Sequence, residues 1–86
     1  IFSISNIYPN PFNSITTIQY GLPDYVPVKI TVYDISGRQV AVLMNNYQSP
    51  GFHSIIWDAS SYPSGQYFIR IMSYKFNETR KVLLIK

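Results

Sequence analysis

The 86-residue chain contains no cysteine, so neither a disulfide nor a thiolate metal site can supplement its core. Charge is scarce too: Asp, Glu, Lys and Arg make up 13% of the residues, against roughly 25% in average soluble domains. Only four residues are carboxylates (Asp24, Asp34, Asp58 and Glu78), and His53 is the one histidine. A metal site needs three or four clustered ligands, so no metal is expected, and no cofactor. A catalytic triad would need a serine and an acid beside His53, and no nucleophile motif supports one. Nothing singles out two carboxylates as a glycosidase pair. The chain is therefore not expected to be an enzyme. The longest apolar run, residues 40–44, is far short of the ~20 residues that a membrane span needs. No signal peptide is visible in these residues, which places any export address elsewhere on a parent chain or in the fold itself. The low charge and the Ile-Phe start suggest a module carried by something larger.

What is present is apolar surface. Hydrophobic residues are 47% of the chain and aromatics 16%, enough for one domain that buries about 60–65% of its unfolded surface. Two-residue alternation runs throughout. Ile18, Tyr20 and Leu22 share one face, with Thr17 and Gln19 opposite; Val28, Ile30 and Val32 alternate with Lys29 and Thr31. His53, Ile55 and Trp57 alternate around Ser54, and Tyr67, Ile69 and Ile71 around Arg70. That period, rich in β-branched and aromatic residues, reads as half-buried strand, and no stretch has a convincing helical period.

The breaks between strands are equally legible. Asp34-Ile35-Ser36-Gly37 has Asp and Gly where a type I turn with a bulge needs them, with Gly37 at positive φ. Residues 45–51 read as a polar loop ending Pro50-Gly51, and Tyr62-Pro63-Ser64-Gly65 as another type I turn. Residues 74–77 turn the chain into its last strand. The expected strands are 2–8, 15–22, 27–34, 38–44, 52–58, 66–73 and 79–85, with residues 1–7 either the first strand or the end of a linker. Seven short strands point to an all-β, immunoglobulin-like sandwich of two antiparallel sheets, filling the whole chain. A small barrel is the alternative.

Single residues have ordinary structural readings. His53 is expected inside or on a sheet face with one nitrogen hydrogen-bonded. Asp34 should accept the turn's amides, and Asp58 should form an Asx-turn. Trp57 and Tyr67 are assigned to the core, whereas Tyr25, Tyr47 and Tyr62 lie in loops where a sugar ring could stack. Lys75, Arg80, Lys81 and Lys86 put four of the seven basic residues in the last twelve positions of a chain of net charge +3. A basic end attracts anionic partners, but the cations are too few for a nucleic-acid groove. In YPNPFN, residues 8–13, Pro11 bars Asn10 from the helical region, and neither proline can donate to a ladder. Such a stiff, extended lead-in sets the direction of the following strand and resists pairing before it, with Phe12 stapling it to the core. An ordinary edge-strand lead-in accounts for it equally.

Taken in order, YPNPFN, YDISGRQV (33–40), PGFHSIIWD (50–58), YPSGQYFIRI (62–71) and TRKVLLIK (79–86) closely resemble the type A C-terminal sorting domain of the type IX secretion system. Each piece alone is weak; five in order at the family's spacing are not. The family's motifs fall on Pro9, Asn10, Pro11 and Phe12, on Asp34, Gly37 and Arg38, on Trp57 and Asp58, and on Gly65 and Tyr67. Its closing strand falls on Arg80, Lys81, Val82, Leu83, Leu84, Ile85 and Lys86. Asn13-Ser14 lacks a third proline often found there. The resemblance implies a seven-stranded immunoglobulin-like sandwich that works as an address in a Gram-negative bacterium. It implies that a cargo joined at its N-terminus crosses the periplasm and that the outer-membrane translocon recognises the folded domain; the closing strand, by its charge and apolar face, is the expected point of recognition. The resemblance further implies that a sortase-like surface cysteine peptidase of the gingipain type then removes the domain, leaving the cargo on the cell surface, linked to anionic lipopolysaccharide, or secreted. The domain is substrate in that step. The rival from another class is a structural spacer, adhesion or carbohydrate-binding module, such as the similar domain of the flagellar hook-capping protein. A sorting domain must end its protein, and this chain stops one lysine after Val-Leu-Leu-Ile, as that reading requires.

Overall fold

Alternating side chains produce seven strands in the computed structural model, which describes residues 3–74 and 76–86. Expectations placed on Ile1, Phe2 and Lys75 lie outside the described residues. The strands are β1 (Ser3–Tyr8), β2 (Ile15–Leu22), β3 (Val26–Asp34), β4 (Gln39–Gln48), β5 (Gly51–Asp58), β6 (Gly65–Ser73) and β7 (Phe76–Leu84). They form a three-stranded sheet, β1-β2-β5, and a four-stranded sheet, β4-β3-β6-β7. Every strand pairing is antiparallel. The inner faces meet in one core that includes Ile18, Tyr20, Ile30, Val32, Trp57, Ile69, Ile71, Val82 and Leu84. Each large aliphatic side chain buried there contributes roughly 1.5–3 kcal/mol of transfer energy. The fold is thus the immunoglobulin-like sandwich, and not the barrel. Near the start of β6 the Tyr67 hydroxyl donates to the Pro63 carbonyl at 2.7 Å, the tyrosine corner of such sandwiches.

The first hairpin turn has the expected chemistry. The Gly37 amide donates to the Asp34 carbonyl and the Asp34 amide to the Arg38 carbonyl, both at 2.9 Å. Gly37 has φ +88°, and a Cβ there would touch nothing within 4 Å, so its requirement is conformational and not steric crowding. Asp34 Oδ1 accepts from the amides of Ser36 and Arg38, each at 3.0 Å. Asp58 accepts from the Ser60 amide at 3.0 Å, the Asx-turn its position suggests.

Four expectations need correction. Where the sequence places a turn over residues 74–77, Phe76 and Asn77 are already strand, paired with Ser73 and Met72. Residues 45–48 are strand and not loop: Val26, Pro27, Val28 and Lys29 pair with Gln48, Tyr47, Asn46 and Asn45. β4 is an edge strand with little of this end buried, so polar residues cost nothing there and hid the pairing. The hydrogen-bonded turn after β5 joins Tyr62 N to Ala59 O at 3.0 Å, ahead of the Tyr62-Pro63-Ser64-Gly65 position. Finally, pairing does precede the proline segment. β1 pairs with β2 from Ser3 to Tyr8, with a register shift between Ile4 and Asn6. The buried Ile4 side chain and half-buried Ile7 give it an inner face, so residues 3–7 are first strand and not linker.

Candidate functional site

The closing strand is an edge. β7 pairs with β6 on one side, Tyr67 opposite Val82 and Phe68 opposite Lys81, and its other side would leave backbone groups open. The proline segment covers them. Phe12 N donates to Leu83 O at 2.9 Å and Ile85 N to Phe12 O at 2.8 Å, a short parallel bridge between Phe12 and Leu84. One step earlier the Asn10 carboxamide continues it: Leu83 N donates to Oδ1 at 3.0 Å, and Nδ2 donates to Lys81 O at 3.2 Å. The chain thereby leaves the β1-β2 sheet at Tyr8 and docks on the opposite sheet at Phe12. Both prolyl bonds, Tyr8–Pro9 and Asn10–Pro11, are cis.

Further along, side chains close the gap between the two sheets. Glu78 Oε1 accepts from the Ile4 amide at 3.0 Å. Arg80 Nη2 donates to the Ile4 carbonyl at 2.8 Å, and its Nε pairs with Glu78 Oε2 at 2.9 Å. Residues two apart on a strand share a face, so Glu78 and Arg80 lie on the side of Val82 and Leu84, both 1% exposed. Lys81 and Leu83 point the other way, outward. Lys86, past the strand, donates its amide to Ser64 Oγ at 3.0 Å and its ammonium to the Ser60 carbonyl.

At the same pole, an aromatic cluster gathers. Trp57, 2% exposed, has Phe12 and Tyr62 at 5.6 Å and Tyr67 at 5.2 Å between ring centroids. Tilted and edge-on rings at these distances add about 0.5–1.5 kcal/mol per pair beyond burial. Burial, and secondarily the Asp34 charge, pushes the Tyr67 hydroxyl above its ordinary pKa.

Residues 6–86 match the family of secretion system C-terminal sorting domains. The chain belongs to that family. Its members are sorting signals of the type IX system, a family of addresses and not of enzymes, and the cargo they serve is secreted or held at the cell surface. No curated protein shows a significant match to the chain.

Within this sorting domain, the five sequence segments come together at one end. Phe12, Trp57, Tyr62 and Tyr67 share the cluster, and the Asp34–Gly37–Arg38 turn sits beside it, Asp34 being the register partner of Tyr67. Pro9, Asn10, Pro11 and Phe12 join this pole to the closing strand. Gly65 opens β6 opposite Leu84, and Asp58 ends β5 one residue past Trp57. These positions build the platform on which residues 80–86 are held. Arg80, Lys81 and Lys86 are all exposed, and Arg80 and Lys86 also have partners within the domain. His53 lies on Tyr20, ring centroids 5.5 Å apart, with its Nε2 2.7 Å from Ser49 O. Among the described residues no cluster of metal-ligating side chains occurs, and none of their helices is long and apolar enough to cross a membrane. Tyr25 and Tyr47 are exposed and stacked at 5.2 Å, whereas Tyr62 is turned inward and donates to Val40 O at 2.9 Å.

Two parts of the site escaped sequence reasoning. The role of Asn10 as a stand-in for a strand residue had no local signal. Arg80 did have one: it shares the parity of Val82 and Leu84, which placed it on the inner side of the edge.

Proposed function

We propose that this domain is the address of a larger cargo protein fused ahead of it, read in the folded state by the type IX outer-membrane translocon after transit through the periplasm of a Gram-negative bacterium. Recognition falls on the closing segment, residues 80–86. Val82 and Leu84 anchor it, Arg80 ties it to β1, and Lys81, Leu83 and Ile85 are exposed to a partner. A sortase-like cysteine peptidase afterwards cuts the chain ahead of the domain, leaving the cargo on the cell surface or released.

The observation that supports this reading most is the extent of the family match, residues 6–86, which takes in the closing strand and its proline cover together. A fluorescent reporter fused ahead of this chain should reach the surface of a type IX-competent host and stay in the periplasm of a translocon-deficient one. Failure to export where an established sorting domain succeeds returns the spacer or adhesion reading.

A further inference from the structure

The cations of this domain divide by what they touch. Arg38 pairs with Asp34 at 3.2 Å and Arg80 with Glu78 at 2.9 Å, while Lys86 reaches the Ser60 carbonyl. The other described cations are Lys29, Lys81 and Arg70, the last donating its Nε to Asn77 Oδ1 at 3.0 Å; these three, like Lys86, have no carboxylate partner among the described residues. All three point out from one surface, the outer face of the four-stranded sheet.

Register makes that placement explicit. Outward positions form rows across β3, β6 and β7: Lys29–Met72–Asn77, Thr31–Arg70–Thr79, and Tyr33–Phe68–Lys81. The three charges therefore run diagonally, one row further along on each successive strand. With strands about 4.8 Å apart and rows about 6.7 Å apart, neighbouring charges start from backbones roughly 8 Å from one another. That is about one Debye length at physiological salt, so their fields overlap. The Thr31 side chain beside it, then Arg70 and Lys29, hold the Tyr33 hydroxyl below its ordinary pKa.

The carboxylates stand elsewhere. Glu78 is turned under β1, Asp58 ends β5 in the other sheet and Asp24 lies between β2 and β3; only Asp34 borders this face, its carboxylate engaged by Ser36 and Arg38. Between the cations lie half-buried Tyr33 and Phe68 and, beside Thr31, the exposed Val42. A shallow hollow of about 460 Å³ opens there, walled by Tyr33, Phe68, Arg70 and Thr79 against the β3–β4 turn. Aromatic and arginine side chains on an open, flat face are the composition of a protein interface, and charge complementarity calls for carboxylates opposite.

We propose that this outer face, through Lys29, Arg70 and Lys81, docks the sorting domain onto an acidic protein surface. The proposal rests on the sorting reading and extends it: the partner reads three adjacent strands by their faces, β7 contributing Lys81, because the edge of β7 is already covered by Asn10 and Phe12.

The test fuses a reporter ahead of the parent chain, of K29Q/R70Q/K81Q, and of the control N6E/S54E/S61E. Both variants lower the net charge from +3 to zero, but the control changes residues off this face. Thermal melting reads folding first; if the Gln triple loses the fold, K29Q/K81Q replaces it, leaving the Arg70 Nε–Asn77 hydrogen bond intact. The expected result is a fall of about tenfold or more in surface reporter for the Gln variant, with folded protein retained in the periplasm and the control displayed like the parent. Equal display of the Gln variant overturns the proposal and leaves the sorting reading standing. An equal fall in the control assigns the effect to net charge and also overturns it. Reporter that crosses normally but is shed from the surface assigns the face to an anionic polysaccharide instead, which overturns the proposal as well. If the parent itself is not exported where an established sorting domain is, the sorting reading fails and this proposal with it.

Discussion

The side chain of Asn10 occupies the place of a strand beside Leu83, taking its amide at 3.0 Å while donating to the carbonyl of Lys81. One carboxamide thus presents an acceptor and a donor at the spacing a neighbouring backbone would. An open edge invites pairing with another chain, and here a residue from near the start of the chain closes the edge near its end. Pro9 and Pro11 suit the segment, since neither has an amide that would need a partner.

Replacing Asn10 with Ala should therefore do two things. Two hydrogen bonds are lost, for a cost of about 1–2 kcal/mol, which lowers the melting temperature by roughly 4–8 °C per kcal/mol in a domain of this size. The uncovered edge should also self-associate at high concentration, seen by light scattering. A variant that melts and sediments like the parent would show that the cover is incidental.

Trp57→Ala should cost about 3–5 kcal/mol through loss of a core aromatic, a large share of the roughly 5–15 kcal/mol that holds a domain together. Trp57→Phe should cost much less, because the buried Trp57 Nε1 has no hydrogen-bond partner among the described residues to lose. Denaturant titration of both variants separates packing from polarity. Equal losses would mean that the indole's size, and not its aromatic contacts with Phe12, Tyr62 and Tyr67, is what matters.

At Gly37, space around the added Cβ is open, so a substitution tests backbone conformation alone. Gly37→Val should destabilise by about 1–2 kcal/mol, the cost of holding a β-branched residue at positive φ. Gly37→Asn should recover much of it, since Asn tolerates that region. Identical melting curves for Val and Gly would contradict the turn geometry.

Acid should loosen the same turn. A hydrogen bond from the Ser36 hydroxyl, amide bonds from Arg38 and Ser36, and the Arg38 charge hold the Asp34 carboxyl below its ordinary value of 3.8. Between those two pKa values the unfolded chain binds the proton and the folded one does not. The stabilisation is thus present above 3.8 and disappears as pH falls through the lower, folded value. Asp58 is depressed in the same direction, chiefly by the Ser60 side chain. Denaturation midpoints should fall on acidification below the carboxylate range, and Asp34→Asn should flatten part of that decline. A parent whose midpoint is constant through this range would rule the linkage out.

How far the sequence reaches is visible in particular residues. Ile18, Tyr20 and Leu22, or Tyr67, Ile69 and Ile71, declare their inner face because alternation and burial coincide. Asn45 and Asn46 do not, because an exposed edge strand places no demand on polarity. The Asn10 contact joins residues 73 positions apart, and no local pattern encodes it. Lys29 and Arg70 look like scattered surface charges until the order β3-β6-β7 sets them beside Lys81. Sequence periodicity gives the face of each strand; which strands are neighbours is decided by the packing of the whole core.

The last prediction separates folding from recognition in the closing segment. Arg80 joins Glu78 to the Ile4 carbonyl, with its side chain 43% and that of Glu78 25% exposed. Solvent screening limits such a pair, so Arg80→Gln should cost about 1 kcal/mol, mostly through the charged hydrogen bond to backbone. Lys86→Gln should cost less, since Lys86 is exposed and lies beyond β7. Because both cations are engaged within the domain, R80Q/K86Q should be displayed on the surface nearly as well as the parent when cells grow well below its melting temperature. Any deficit should widen as growth temperature rises, tracking the unfolded fraction, while Lys81→Gln should reduce display without altering the melting curve. If R80Q/K86Q remains fully folded and is nonetheless retained in the periplasm, Arg80 or Lys86 contacts the translocon directly. Their bonds to Ile4 and Ser60 would then have to open when the partner binds.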